Sequence, residues 1–150
     1  MNQEKLMKRR MVTAIIAWIV TFITLLVFIG LYIDETHRVQ ETYRKQYLTE
    51  IKHASQEIEA YIDNQGDLDL RYKRIIYYMS AADSYAFLIN DFTDQQIVVN
   101  ELSTCFVKYP EQMSEKLEET KEALDEMYAN HDKGYKAAEE IVDAIDKKGY

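Results

Sequence analysis

The chain is poor in the residues that punctuate and cross-link a fold: one proline, four glycines and one cysteine in 150 residues. So little proline and glycine excludes an all-β domain, whose tight turns draw on both, and excludes a Pro/Gly-rich disordered linker. Cys105 alone permits neither an intrachain disulfide nor a thiolate-rich metal centre, and on the apolar side of a helical pattern it reads as a small core hydrophobe. His37, His53 and His131 are the only imidazoles; neither His-Glu-x-x-His nor Cys-x-x-Cys spacing occurs, and no Glu-x-x-His ligand pair is expected. No zinc or di-iron centre is therefore expected. Asp63, Gly66, Asp67 and Asp69 miss the spacing of a calcium loop. Gly-rich phosphate loops, nucleophile elbows and kinase signatures are missing as well. The expectation is a protein without catalytic residues, cofactor or metal. Cations are also short, 18 Lys and Arg against 26 Asp and Glu for a net charge of -8, which argues against nucleic acid as a partner.

What the chain does contain is one long apolar run. Met11 to Ile33 (MVTAIIAWIVTFITLLVFIGLYI) has no charged side chain. As a helix it reaches about 35 Å, enough for a hydrocarbon core of about 30 Å. A cleaved secretory signal would have a shorter apolar region and small residues at its end, whereas this run closes on VFIGLYIDETH. It reads as a retained signal anchor. Lys5, Lys8, Arg9 and Arg10 crowd the ten residues before it, and Asp34 and Glu35 follow it. The positive-inside rule then predicts a cytoplasmic leader (1–10), a transmembrane helix (11–33) and a domain outside the cell membrane (34–150). Within the run, Thr13, Ala17 and Thr21 recur at every fourth residue with Thr24 beside them, a strip of small residues suited to homo-oligomer packing.

Residues 34–150 carry helical periodicity throughout and no strand-like alternation. The first helix is expected to run on from the apolar segment to Asp63, with Leu48, Ile51, Ser55, Ile58 and Ile62 inward and Asp34/Arg38 and Glu41/Lys45 as pairs one turn apart. Asp63-Asn-Gln-Gly66 reads as a turn, with Gly66 as the left-handed residue and Asp67 as the next N-cap. Leu68, Tyr72, Ile75, Met79, Ala82, Ala86 and Ile89 form the seam of a second helix. Thr93-Asp-Gln-Gln96 has the form of a capping box opening a third, with Val98, Leu102, Cys105 and Tyr109 inward. Pro110 suits the first position of a fourth helix carrying Met113, Leu117, Leu124 and Met127, with a break expected near Asn130-His-Asp-Lys-Gly134. The predicted fold is all-α: a transmembrane helix continuing into an antiparallel three- or four-helix bundle.

Two patterns bear on function. Glu111, Glu115, Glu118, Glu122 and Asp125 recur at 4,3,4,3 spacing, so on one unbroken helix they form an acidic stripe. An uncompensated stripe suits a protein partner with a basic surface. Twelve tyrosines suit a thin bundle in which rings pack and hydroxyls stay wet, and alternatively an aromatic groove. The architecture resembles the membrane-tethered helical-bundle input domains of bacterial chemoreceptors and sensor kinases, although no motif carries a family assignment. The expected function is a non-catalytic, membrane-anchored interaction or accessory subunit. The alternative is a small-ligand-sensing or binding subunit.

Overall fold

A computed structural model describes residues 2–129 and 132–147. Every regular element among them is helical: α1 (Asn2–Ile62), α2 (Leu68–Phe87), α3 (Thr93–Lys108), α4 (Pro110–Glu115), α5 (Leu117–Tyr128) and α6 (Asp132–Asp143). The chain divides into two compact units, residues 1–39 and 40–150. The first is helical and holds the apolar run, whose side chains stay uncovered by protein; Ile15, Leu26 and Phe28 are among the exposed ones.

The second unit is organised around one apolar core. Tyr47, Ile51, Ala54 and Ile58 of α1 enter it, with Ser55 beside them. The expected α1 seam is thus centred slightly differently: Ile51, Ser55 and Ile58 are buried, Leu48 and Ile62 sit half-buried at its margins, and Tyr47 and Ala54 complete it. Each fully buried Ile contributes about 1.5–3 kcal/mol relative to exposure. Along α2 the expected seam holds, with Ile75, Met79, Ala82 and Ala86 buried and Leu68 and Tyr72 half-buried, while Ile89 is buried just past the end of the helix. Helix α3 packs against α2, α4 and α6, and α5 packs against α6.

The turn after α1 closes as expected in outline and differently in detail. Asn64, not Gly66, is the residue that ends the helix, at φ 54°. Gln65 N–H donates to Ala60 O (2.9 Å) and Asn64 N–H to Tyr61 O (3.1 Å), which satisfies two of the orphan carbonyls. Gly66 supplies a second left-handed residue at φ 77°. Asp67 then caps α2, its carboxylate accepting from the backbone N–H of Asp69 and Leu70.

Four expectations are corrected. Arg38 pairs with Glu35 at i,i+3, its guanidinium 2.8 Å from the carboxylate. Helix α3 starts at Thr93 but has no side-chain cap, because Phe92 is the capping residue; the Thr93–Gln96 box does not form, and Gln96 instead donates its side-chain amide to Asp83 (3.1 Å). The buried face of α3 holds Val99, Leu102, Ser103, Cys105 and Phe106, so Val98 and Tyr109 flank it rather than belong to it. The helix opened by Pro110 stops at Glu115: Lys116 leaves helical geometry at φ −113°, ψ 15°, and α5 begins at Leu117.

Between α5 and α6, Asn130 and His131 lie outside the described residues, so the part of the expected break that falls on them is not described. Gly134, expected in the turn, is a buried residue in the first turn of α6. A Cβ there would stand 2.5 Å from Met127 N and 2.7 Å from Ala123 O. Only glycine lets α6 come this close to the α5 backbone.

Candidate functional site

Glycine at 134 fixes the α5–α6 pair at close range, and the outward side of that pair forms a concavity. It is a groove of about 690 Å³. From α5 come Glu119, Ala123 and Glu126, preceded by Lys116, and from α6 come Lys133, Ala137, Glu140 and Ile141, followed by Ala144. These positions recur at three- and four-residue intervals, so one face of each helix lines the groove along its length. Ala123 and Ile141 are buried at its floor.

The acidic residues singled out by spacing are distributed by the break at Lys116. Glu111 and Glu115 lie on α4, and Glu118, Glu122 and Asp125 on α5. All five are exposed, but the two sets no longer share one helix axis, which corrects the single-stripe expectation. Asp125 is further tied inward: Ser55 Oγ of α1 donates to its Oδ1 (2.5 Å), and Lys121 Nζ stands 2.9 Å from its Oδ2. Lys121 also lies 4.0 Å from Glu59 of α1, and this acidic company holds its ammonium pKa above the ordinary value, the Asp125 hydrogen bond first. The cations of α2 are engaged elsewhere: Arg71 and Arg74 turn to Glu57 at 2.7 and 3.4 Å, and Lys73 pairs with Asp69.

Several tyrosines serve the core, whereas Tyr32, Tyr77 and Tyr128 are exposed. Tyr47 is buried, its hydroxyl 2.9 Å from that of Tyr135 on α6. Phe92 packs edge-on to both rings, at 5.3 and 5.9 Å between centroids, and the Arg44 guanidinium lies over it. Burial pushes the ionisation of both phenols up. Tyr61, Tyr72 and Phe106 form a second aromatic line, with Tyr72 donating to Phe106 O (3.1 Å). Cys105 is buried, and burial raises its thiol pKa, the opposite of what a reactive thiolate needs.

The expectation of no Glu-x-x-His pair is corrected by Glu50-x-x-His53 on α1. His53 Nδ1 lies 3.8 Å from Glu50 Oε2, and its ring faces Tyr78 at 5.0 Å. The signal was present in the sequence as Glu-x-x-His. No third ligand joins it: among the described residues, no three His, Cys, Asp or Glu side chains converge on a metal position.

In the first unit, one helix is long and apolar enough to cross a membrane, and none of its apolar window is buried by protein. Thr13, Thr21 and Thr24 donate their hydroxyls to the carbonyls of Arg9, Ala17 and Val20, each at 2.9 Å. Their polar atoms are thereby satisfied within the helix, so the strip through Ala17 is chemically compatible with lipid or with a second helix. Compared with protein-family profiles, with curated proteins and with solved structures, the chain matches none.

Proposed function

We propose that this protein is a non-catalytic, single-pass membrane protein whose residues 34–150 form an antiparallel helical bundle, held outside the membrane as an interaction or accessory subunit. The observation that carries the reading is the contrast between its two units. One presents a charge-free apolar stretch, Met11 to Ile33, with no protein cover over its apolar window. The other packs its apolar residues into a core in which Ser55, Ser103 and Thr120 are the buried polar residues among those described. Apolar surface on this scale is unfavourable in water and favourable in lipid. The cationic leader and the acids after Ile33 favour an N-terminus inside.

A dry interior also favours an interaction module over a small-ligand sensor, which would need convergent polar groups inside the bundle. The exposed Glu111, Glu115, Glu118 and Glu122 of α4 and α5 supply a surface for a basic protein partner, and the small strip in the membrane supplies one for a second copy. The test is purification from native membranes in mild detergent after brief crosslinking. A stoichiometric membrane neighbour is expected. Recovery of the chain alone, or with a tightly held small molecule, would overturn the reading.

A further inference from the structure

We infer that the groove between α5 and α6 is the docking site for a basic amphipathic helix of a partner protein. This rests on the interaction-subunit reading above and names the surface and the chemistry of its partner. The groove is built from helix faces, and its floor and sides are small. Ala123, Ala137 and Ala144 follow its length with Ile141 between them. Methyl groups at such positions let a third helix approach to about 8 Å between axes. From Lys116 to Ala129 the groove wall runs about 20 Å at ~1.5 Å per residue. A helix of that length and ~10 Å in diameter occupies roughly twice the groove volume, so an occupant seats one face and leaves the other in water.

Charge selects the occupant. Five carboxylates line the groove (Glu119, Glu122, Asp125, Glu126 and Glu140) against two ammonium groups, Lys116 and Lys133. Both ammonium groups already face groove glutamates, Lys116 at 3.5 Å from Glu119 and Lys133 at 3.7 Å from Glu126. Asp125 is engaged by Ser55 and Lys121. That leaves Glu122 on α5, which adds only to the acidic field on Lys121, and Glu140 on α6, one on each side and both exposed. An occupant with Lys or Arg along both edges of an Ala/Leu stripe meets both. A second copy does not fit this description. Residues 34–150 hold 14 cations and 25 acids (18 less the 4 of the leader, 26 less Glu4), a net charge of -11. Of its two basic stretches, the leader lies across the membrane in the proposed topology, and Arg71-Tyr-Lys-Arg74 is already paired with Glu57 and Asp69.

The experiment measures binding of a dye-labelled synthetic helix of about eighteen residues to the full chain in lipid nanodiscs. The probe has alanine and leucine on one face and lysine on both edges; a control has glutamate in place of lysine, and a second probe carries residues 2–12 of the leader. The lysine probe is expected to bind, and to weaken as salt rises from about 50 to about 300 mM. Glu122→Gln with Glu140→Gln should weaken it about twofold to tenfold, two exposed ion pairs' worth. Glu41→Gln with Glu101→Gln, exposed carboxylates outside both the groove and the α4–α5 acidic set, should change nothing. Ala137→Trp should abolish binding by filling the groove, and Ala144→Trp, at an exposed position, repeats the test where folding is not at stake. Equal binding of the glutamate probe, unchanged binding to either Trp variant, or equally groove-dependent binding of the leader probe would overturn the inference. If a native partner co-purifies but both Trp variants still capture it, the groove is wrong and the interaction reading stands. If the lysine probe behaves as expected and no neighbour co-purifies, the interaction reading is wrong and the groove stands as a helix-binding surface.

Discussion

At Gly134 two opposing magnitudes meet. Alanine is the better helix former by about 1 kcal/mol, so on propensity alone Gly134→Ala would stabilise α6. Its Cβ, however, would press on Met127 N and Ala123 O, which are backbone atoms and cannot rotate away. Overpacking of this kind costs about 1–3 kcal/mol or more. The expected outcome is a net loss of stability by thermal or chemical unfolding of the full chain, and a gain would show that the helices separate freely at this point. The buried phenols make a second prediction. Burial raises the Tyr47 and Tyr135 pKa values above that of an unfolded tyrosine. Below about pH 10 both states are neutral and this contribution to stability is complete; above it the unfolded chain loses protons first, so stability falls as pH rises. Tyr47→Phe removes one titrating group and the 2.9 Å hydroxyl contact. It should cost about 1 kcal/mol at neutral pH and make the decline between about pH 9 and pH 11 shallower. An unaltered alkaline slope would contradict the burial of Tyr47.

At the scale of elements, Ala17 is the point at which the helix of the first unit is expected to meet its own copy. The neighbouring threonines have satisfied their hydroxyls internally, so association would rest on close packing, which a larger side chain prevents. Ala17→Leu should reduce the dimer signal in a membrane two-hybrid assay. Absence of signal from the unmodified segment would assign the strip to lipid. Elements with a strong period were legible in the sequence: the helical continuity of α1, the α2 seam and the Asp67 cap all rest on local chemistry. What escaped depends on contacts distant in the chain. Lys116 is an ordinary helix former, and nothing local marks it as a break. Gly134 looked like a turn residue because its partner backbone, Ala123 to Met127, is visible only once α5 and α6 pack. The Thr93 box failed for a comparable reason: Phe92 takes a place in the core between Tyr47 and Tyr135, and Gln96 is drawn to Asp83. The groove was not legible because its two walls come from different helices, and the spacing of Glu111 to Asp125 followed only one of them.

On the scale of the whole molecule, the functional proposal depends on which solvent each unit meets. An acidic unit with an apolar core suits water, and the apolar helix is long and apolar enough to cross a membrane. The measurement that tests this most directly is protease digestion of intact cells or protoplasts expressing the chain with a reporter fused to each terminus. The N-terminal reporter should survive until the membrane is permeabilised, and the C-terminal reporter should be lost at once, with cutting beyond about Arg38. Protection of the C-terminal reporter in intact cells would place residues 34–150 inside and contradict the account.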